Sequence, residues 1–496
     1  MLKKFLFFIG LFALALGACR KEERIISASS ELRFSADTVF LDTVFETIGS
    51  STYQLKVFND GSETIRIPQI RLADASSPYR LNINGTATNS LSDVEILGQD
   101  SIYIFIEVSV GDLNASNELL VEDQILFELN GLSQKVELVT LAKQAVFHFP
   151  TNFIVLGSAE NPVVIPYSII SCNSTWDATI PHVVYGYAVV DSGCTLTINE
   201  GTDVHFHENS GLWVFNEGRL RIAPGAQPGV GDSVTFSSDR LEPFYEEVPG
   251  QWGGVLGGLY IGQGARAEIN NLVLKNAVNG LRTDSAIYSD QLVIRNSYIL
   301  NSSRTAFYAG YSAVDAQNLV IANQGLFGFY AFGGNYSFRH CSFLNFWNQG
   351  TRQDPTVQLT NFLDLQTETG VQRIARDLES AYFGNCIIDG SNQQELALAE
   401  DAGAQFNFQM NHVALKLASD PSERGFDIND PEFIQVFLNQ DNGFVNTGQN
   451  FYQLDSTSQA VDRGNTNDGF LVPTDILGKI RNFNGLPDLG AYERQF

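Results

Sequence analysis

Two histidines stand two residues apart in Asp203-Val-His205-Phe-His207-Glu208. On a strand, that spacing puts both imidazoles on one side beside Asp203, with Val204 and Phe206 on the other. Such a pair could seed a zinc site, but no third histidine lies nearby. Both therefore read as outward polar groups, and no metal or other cofactor is expected. Two loops carry better material for recognition. Trp347, Arg352 and Asp354 fall in a Gln/Gly/Pro loop that follows the aromatic-dense stretch from residue 325. Arg240, Tyr245, Glu246 and Trp252 fall in a long insertion, 237–254. Aromatic faces with polar rims suit sugar binding, and long loops carry function more often than regular strands do. Tyr245, Trp252, Trp347, Arg352 and Asp354 are accordingly the candidate ligand-binding residues, and no residue is singled out as catalytic. The insertion could instead serve as a structural flap. The other aromatic residues of 325–345 alternate and are expected to pack inside.

Those loops need a frame, and the frame repeats. Asn271-Leu-Val-Leu-Lys-Asn276 returns as Asn296-Ser-Tyr-Ile-Leu-Asn301 and Asn318-Leu-Val-Ile-Ala-Asn323. It returns again as His340-Cys-Ser-Phe-Leu-Asn345 and Asn385-Cys-Ile-Ile-Asp-Gly390. The first positions lie 25, 22, 22 and 45 residues apart, the last gap reading as two periods. Such a period, without a leucine-repeat consensus or a helical half, predicts three short strands and three turns per coil, stacked at about 4.8 Å. Asparagine tolerates the left-handed bend and can bond to its copy on the next coil. Asn271, Asn296, Asn318, His340 and Asn385 are thus expected as one bend ladder. Cys341 and Cys386 share the slot after the bend and read as small buried residues. Cys172 and Cys194 could form a disulfide; their spacing leaves this open.

Residues 31–148 read differently. Alternating strands such as 101–110, 123–131 and 134–142 break at Asn-Gly and Asp-Gly turns, which predicts antiparallel hairpins. About seven strands in this length suit an immunoglobulin-like sandwich, with a spacer as its default role. The charge, 30 Lys+Arg against 56 Asp+Glu and −26 net, argues against nucleic acid and favours neutral or cationic ligands.

The N-terminus has Lys3 and Lys4, an apolar run from Phe5 to Ala18, then Cys19. Leu16-Gly17-Ala18-Cys19 resembles the bacterial lipobox, which implies acylation of Cys19. Cys19-Arg-Lys-Glu-Glu23 resembles the export tag of surface lipoproteins in Bacteroidetes-type bacteria, and could equally be a solvated tether.

Residues 185–215, 249–281, Ser458-Gln-Ala-Val-Asp-Arg-Gly-Asn465 and Asp488-Leu-Gly-Ala-Tyr-Glu493 resemble right-handed parallel β-helix proteins of the pectate-lyase-like superfamily. That resemblance implies the fold over most of 165–496. It leaves activity open, since the superfamily holds enzymes, adhesins and structural shafts. The pectin-hydrolase phrases Asp-Asp, Gly-His-Gly and Arg-Ile-Lys are missing. Lysines in the solenoid are chiefly Lys275 and Lys416, so an electropositive cleft would need arginines.

The expected organisation is all-β: signal peptide 1–18, tether 19–30, Ig-like sandwich 31–148, right-handed parallel β-helix 149–418, and an irregular cap 419–496 over the last coil. The expected function is non-enzymatic binding of a glycan or cell-envelope partner. The chain would act as a monomer, lipid-anchored to the outer membrane and surface-exposed, touching the membrane only through its anchor. The alternative is a polysaccharide lyase or glycoside hydrolase with its cleft on one parallel sheet.

Overall fold

A computed structural model describes residues 25–27, 32–113, 117–157, 161–367, 370–418, 427–482 and 485–495. Cys19 and the segment before it lie outside the described residues. The protein is predominantly β and divides into two compact units, 1–144 and 145–496.

In the first unit, Glu118–Glu128 and Ser133–Lys143 run antiparallel across the Asn130-Gly131 turn. Burial alternates along both because every second side chain faces inward. They lie in one sheet with Thr64–Leu72 and Thr38–Phe40. A second sheet orders Arg33–Phe34, Tyr53–Asn59, Asp100–Val108, Tyr79–Ile83 and Thr86–Ala87. Leu55, Val57 and Ile104 from one sheet share a core with Ile67, Phe127 and Leu138 from the other, a sandwich-like arrangement. The expected tether is in part a strand. Ile25–Ser27 pairs in parallel with Thr64–Arg66, filling backbone positions that Glu118–Glu128 leaves open on that side of Thr64–Leu72.

The second unit is a solenoid-like stack of coils built on parallel ladders. Trp176, Ile198, Ile222, Ile269, Ile294, Ala316, Phe338, Phe383, Met410 and Phe433 lie over one another, each in register with the next. All belong to one core. A second ladder follows the asparagine bend, and a third runs from Pro162–Ile169 to Leu396–Ala399. Backbone φ is +49° at Asn271, +48° at Asn296, +52° at Asn318, +51° at His340 and +52° at Asn385, all left-handed. The same bend continues at His412 (+54°) and Gln435 (+52°), which the repeat reading had not included.

Side chains follow the ladder less strictly than the backbone. Asn318 Nδ2 donates to Asn296 Oδ1 at 2.9 Å, and Asn385 Nδ2 meets His340 Nε2 at 2.9 Å. Asn296, however, donates to Asn270 rather than Asn271, whose Oδ1 accepts from Ser233. Cys341 and Cys386 are buried free thiols that donate to backbone carbonyls, and Cys172 is disulfide-bonded to Cys194.

Three expectations change. The 45 residues from His340 to Asn385 form one coil, because Phe338 pairs directly with Phe383. The extra length is a loop, 346–356, and a hairpin of Phe362–Thr367 with Gly370–Ala375. Second, parallel pairing starts at Val146–His148 and runs to Phe437–Leu438, beyond both ends of 149–418. Third, the C-terminal segment does not simply cover the last coil. It lies as a strap along the outer face of the second ladder, where Val320, Ala322, Leu344 and Ile387 point outward and pack against Tyr452, Leu454, Leu489 and Tyr492. Those outward positions are apolar, so water must be kept from them.

Asp488-Leu-Gly-Ala-Tyr-Glu493 is the clasp of this strap. Gly490 has φ +82°, and a Cβ there would meet Ser342 Oγ at 2.6 Å. Its N–H donates to the Asn385 carbonyl at 2.8 Å. The buried Arg481 guanidinium donates to Asn318 Oδ1 and to the carbonyls of Gly490 and Ala491.

Candidate functional site

The loops singled out from sequence do come close to one another, but not through the side chains first chosen. Trp252 is wholly buried. Its ring stacks on Phe206 at 4.3 Å, and its Nε1 donates to the Lys275 carbonyl at 2.8 Å. It is the root of the insertion and is not available to a ligand. Gln251 tightens the same loop, donating to the carbonyls of Tyr245 and Val248. The Tyr245 ring is half-buried, with the Arg240 guanidinium 3.9 Å from its centroid.

Arg352 is likewise internal. It forms a bidentate pair with buried Glu395 and donates to the carbonyls of Asn345 and Asp354. Glu395 also accepts from the amide and hydroxyl of Thr356. This locks the 346–356 loop; Asp354 serves it through its backbone and is half-buried. A buried charge is tolerable only when paired and hydrogen-bonded in this way.

Trp347 is different. It is half-exposed and lines a cleft of about 510 Å³. One wall is Glu246 and Glu247, at the tip of the insertion. The floor carries Asn301 and Asn323, the closing asparagines of two repeats, both in left-handed conformation. The strap contributes Gln449, Asn450 and Phe451 to the lining. There Asn446 accepts from Gly448 N–H to cap a short turn, and Asn450 leaves it at φ +59°. Glu247 Oε2 accepts from Asn301 Nδ2 at 2.7 Å and from Asn450 Nδ2 at 3.1 Å. Asn323 Nδ2 donates to Asn450 Oδ1 at 2.8 Å. These amides tie insertion, coil and strap into one rigid rim. Phe451 is 54% exposed. Among the described residues no aromatic ring stacks on Trp347 or on Phe451, and the Trp347 ring lies beside Gly325.

Elsewhere, most aromatic and charged groups are paired, although the buried Trp213 Nε1 and Asp315 Oδ1 have no hydrogen-bond partner. On the outer face of the third ladder Trp213 stacks on Tyr260 and Tyr308 on Tyr330, with Arg282 between the two pairs. These ring faces are turned to each other. On the first ladder Arg295 pairs with Asp315, and Arg339 with Asp468, which also accepts from the Tyr382 hydroxyl. His205 Nδ1 lies 2.9 Å from the Ser238 carbonyl, and His207 Nδ1 lies 2.7 Å from Asp239.

Asn301 and Asn323 were within reach of the sequence, since the repeat's last position recurs as its first does. Asn450 and Phe451 were not, because only the strap's path brings them here.

Fold and cleft together define an all-β protein with a solenoid-like parallel stack, a sandwich-like unit and a loop-built cleft beside Trp347. No family model and no curated protein matches the sequence. Among solved structures, the chain is similar to a family 123 glycoside hydrolase from Clostridium perfringens at 8% identity and TM-score 0.18, over 24% of this chain and 30% of that one. It is similar to the E. coli chaperone DraB at 13% identity and TM-score 0.17, over 29% and 82%. A Porphyromonas gingivalis protein of unknown function matches at 12% identity and TM-score 0.16, over 30% and 58%. The chain spans less than a third of the hydrolase's length.

Proposed function

We propose that this chain is an exported lipoprotein, acylated at Cys19, that binds a glycan in the cleft beside Trp347 without turning it over. In this reading the first unit is an Ig-like spacer and the second a right-handed parallel β-helix similar to the pectate-lyase-like superfamily. The protein stands as a monomer on the outer membrane, facing outward, and takes a polysaccharide or another cell-envelope component as partner. Its negative charge disfavours nucleic acid. The observation that carries the reading is a cleft lined by two aromatic rings, Trp347 and the exposed Phe451, beside a rim of fixed amides. Rings cover the apolar faces of a sugar while amides satisfy its hydroxyls.

The alternative, a lyase or hydrolase, finds its best material on the first ladder, in Arg295, Asp315 and Arg339, with Asp468 of the C-terminal segment beside them. Each carboxylate there is paired with an arginine, and Asp468 is buried and also accepts from the Tyr382 hydroxyl. The two readings separate when the mature protein is incubated with a panel of polysaccharides. Retention without fragment release, lost in Trp347→Ala with Phe451→Ala, is the expected result; released oligosaccharides would overturn the binder reading.

A further inference from the structure

We infer that Cys341 and Cys386 are a convertible pair, joined by a second coil-to-coil disulfide when the folding chain meets a disulfide oxidant. Arg339 pairs with Gly384 and Ser342 with Ile387, so the two cysteines lie one over the other on neighbouring coils. The Cys341 carbonyl accepts from the Ile387 N–H at 3.0 Å, which fixes that register at the bend itself. Both side chains are fully buried in one core. Neighbouring strands stand about 4.8 Å apart, within the roughly 4.4–6.8 Å between Cα atoms that a disulfide spans. The molecule already holds a bond of this kind. Ser174 pairs with Leu196, so Cys172 and Cys194, two residues earlier on each coil, also lie one over the other. They are joined, with a sequence separation of 22 and Cα atoms 4.8 Å apart. Such a bond belongs to chains that fold where disulfides persist.

Access separates the two pairs. Cys172 is exposed and Cys194 half-buried, whereas Cys341 and Cys386 are sealed. Burial and the neighbouring Cys341 thiol push the Cys386 thiol well up, so the closed coil offers no thiolate there. Exchange therefore belongs to the open coil. One cysteine thiolate attacks the oxidant's disulfide and releases the first oxidant thiol. The other cysteine attacks the mixed disulfide and releases the second. Two protons and two electrons pass from the cysteines to the oxidant, whose disulfide becomes two thiols. The bond acts where the strap is fastened. Gly490 N–H donates to the Asn385 carbonyl, and Ala491 N–H to Ser342 Oγ at 2.9 Å. The cysteines also bracket the excursion that carries Trp347 and the hairpin of Phe362–Thr367 with Gly370–Ala375. When they are joined, Ser342–Asn345 and Ile387–Gly390 cannot peel apart at this bend; when reduced, only non-covalent contacts hold them.

The test refolds the full mature chain from a reduced, denatured state in oxidised and reduced glutathione, alkylates it in denaturant and maps its peptides. A link between Cys341 and Cys386 beside the Cys172–Cys194 bond is the expected result. In a chain folded first under reductant and then given the oxidant, Cys172–Cys194 should close about tenfold faster or more, because the inner pair waits for its coil to open. Hydrogen exchange over 342–345 and 387–390 should be several-fold slower in the linked chain than in two comparators. One is wild type folded under reductant; the other is Cys341→Ala with Cys386→Ala. Free thiols at 341 and 386 in a refolded chain whose Cys172–Cys194 bond has formed would overturn the proposal, as would a link from either to Cys172 or Cys194. Equal closing rates would overturn the sealing of the pair, and equal exchange in linked and unlinked chains would overturn its hold on the clasped coil.

Discussion

Two tryptophans in similar surroundings, Trp252 and Trp347, have opposite fates. Both sit in glycine-containing loops that break the repeat, so composition treats them alike. What separates them is the space their neighbours leave. Gly258 carries no side chain where a Cβ would come 2.6 Å from the Trp252 ring, and Gly253 bends at φ +78° beside it. The glycines after Trp252 make room for a buried ring, and that close approach is set by the coil below, which a local reading does not see. Arg352 misleads in the same way: its partner Glu395 is 43 residues on. The two tryptophans should respond differently to truncation. Trp252→Ala removes a filled core position and orphans the Lys275 carbonyl, so a loss of about 3–5 kcal/mol is expected in a denaturant melt. Trp347→Ala should cost about 1 kcal/mol or less yet abolish glycan retention. A small stability loss in the first variant, or unchanged retention in the second, would reverse these assignments.

Elements were legible in proportion to their regularity. The asparagine bends and the hairpin turns follow from local conformational preference, so they read directly from sequence. The strap was not legible, because it has no period and its hydrogen-bond partners on the coils lie from 53 to 203 residues away. Its one signal was a break in alternation: Val320, Ala322 and Ile387 are apolar where outward positions are usually polar. The first coil and the strap carry buried ionisable groups of opposite kind. His148 and His182 lie 3.0 Å apart against Trp176, and burial lowers both from 6.5 to about 4. Unfolding there takes up protons between those values, so stability of this coil is full above about 6.5 and lost as pH falls toward about 4. Glu493 is pushed up from 4.5 to about 7 by burial and by the Asp488 carboxylate. Here the folded form holds the extra proton, so the strap is most stable in acid and weakens as pH rises from 4.5 through 7. Peptide-resolved hydrogen exchange at pH 5 and 7.5, corrected for intrinsic rates, should show 146–184 better protected at the higher pH and 475–495 at the lower. Glu493→Gln should flatten the second response, and parallel behaviour of the two regions would count against both assignments.

At the scale of the whole second unit, the stack and the strap impose different thermodynamics. In a bare solenoid each coil touches only its neighbours, so stability is a sum of local terms and melting can begin at any weak coil. The strap changes this. Gly478 packs against the Pro228 carbonyl, Arg481 bonds Asn318, Gly490 bonds Asn385, and Asp468 pairs with Arg339. The C-terminal segment therefore touches coils far apart along the stack, and none of the coils it touches can open without disturbing it. It also covers apolar side chains that a bare stack would show to water. Cooperativity across the unit should depend on these contacts more than on any single coil. Ending the chain after Asn439 keeps every strand of the stack, including Phe437–Leu438, and removes the strap. The expected outcome is a stack that retains its far-UV signal but binds a hydrophobic dye and melts broadly in steps, with exchange protection lost first at coils carrying Val320, Leu344 and Ile387. Arg481→Met in the full chain should move partway in the same direction, because it unfastens the clasp while leaving the apolar cover. A truncated chain that still melted in one sharp step, without dye binding, would mean that the coils are coupled through their own core and that the strap is only an outer layer.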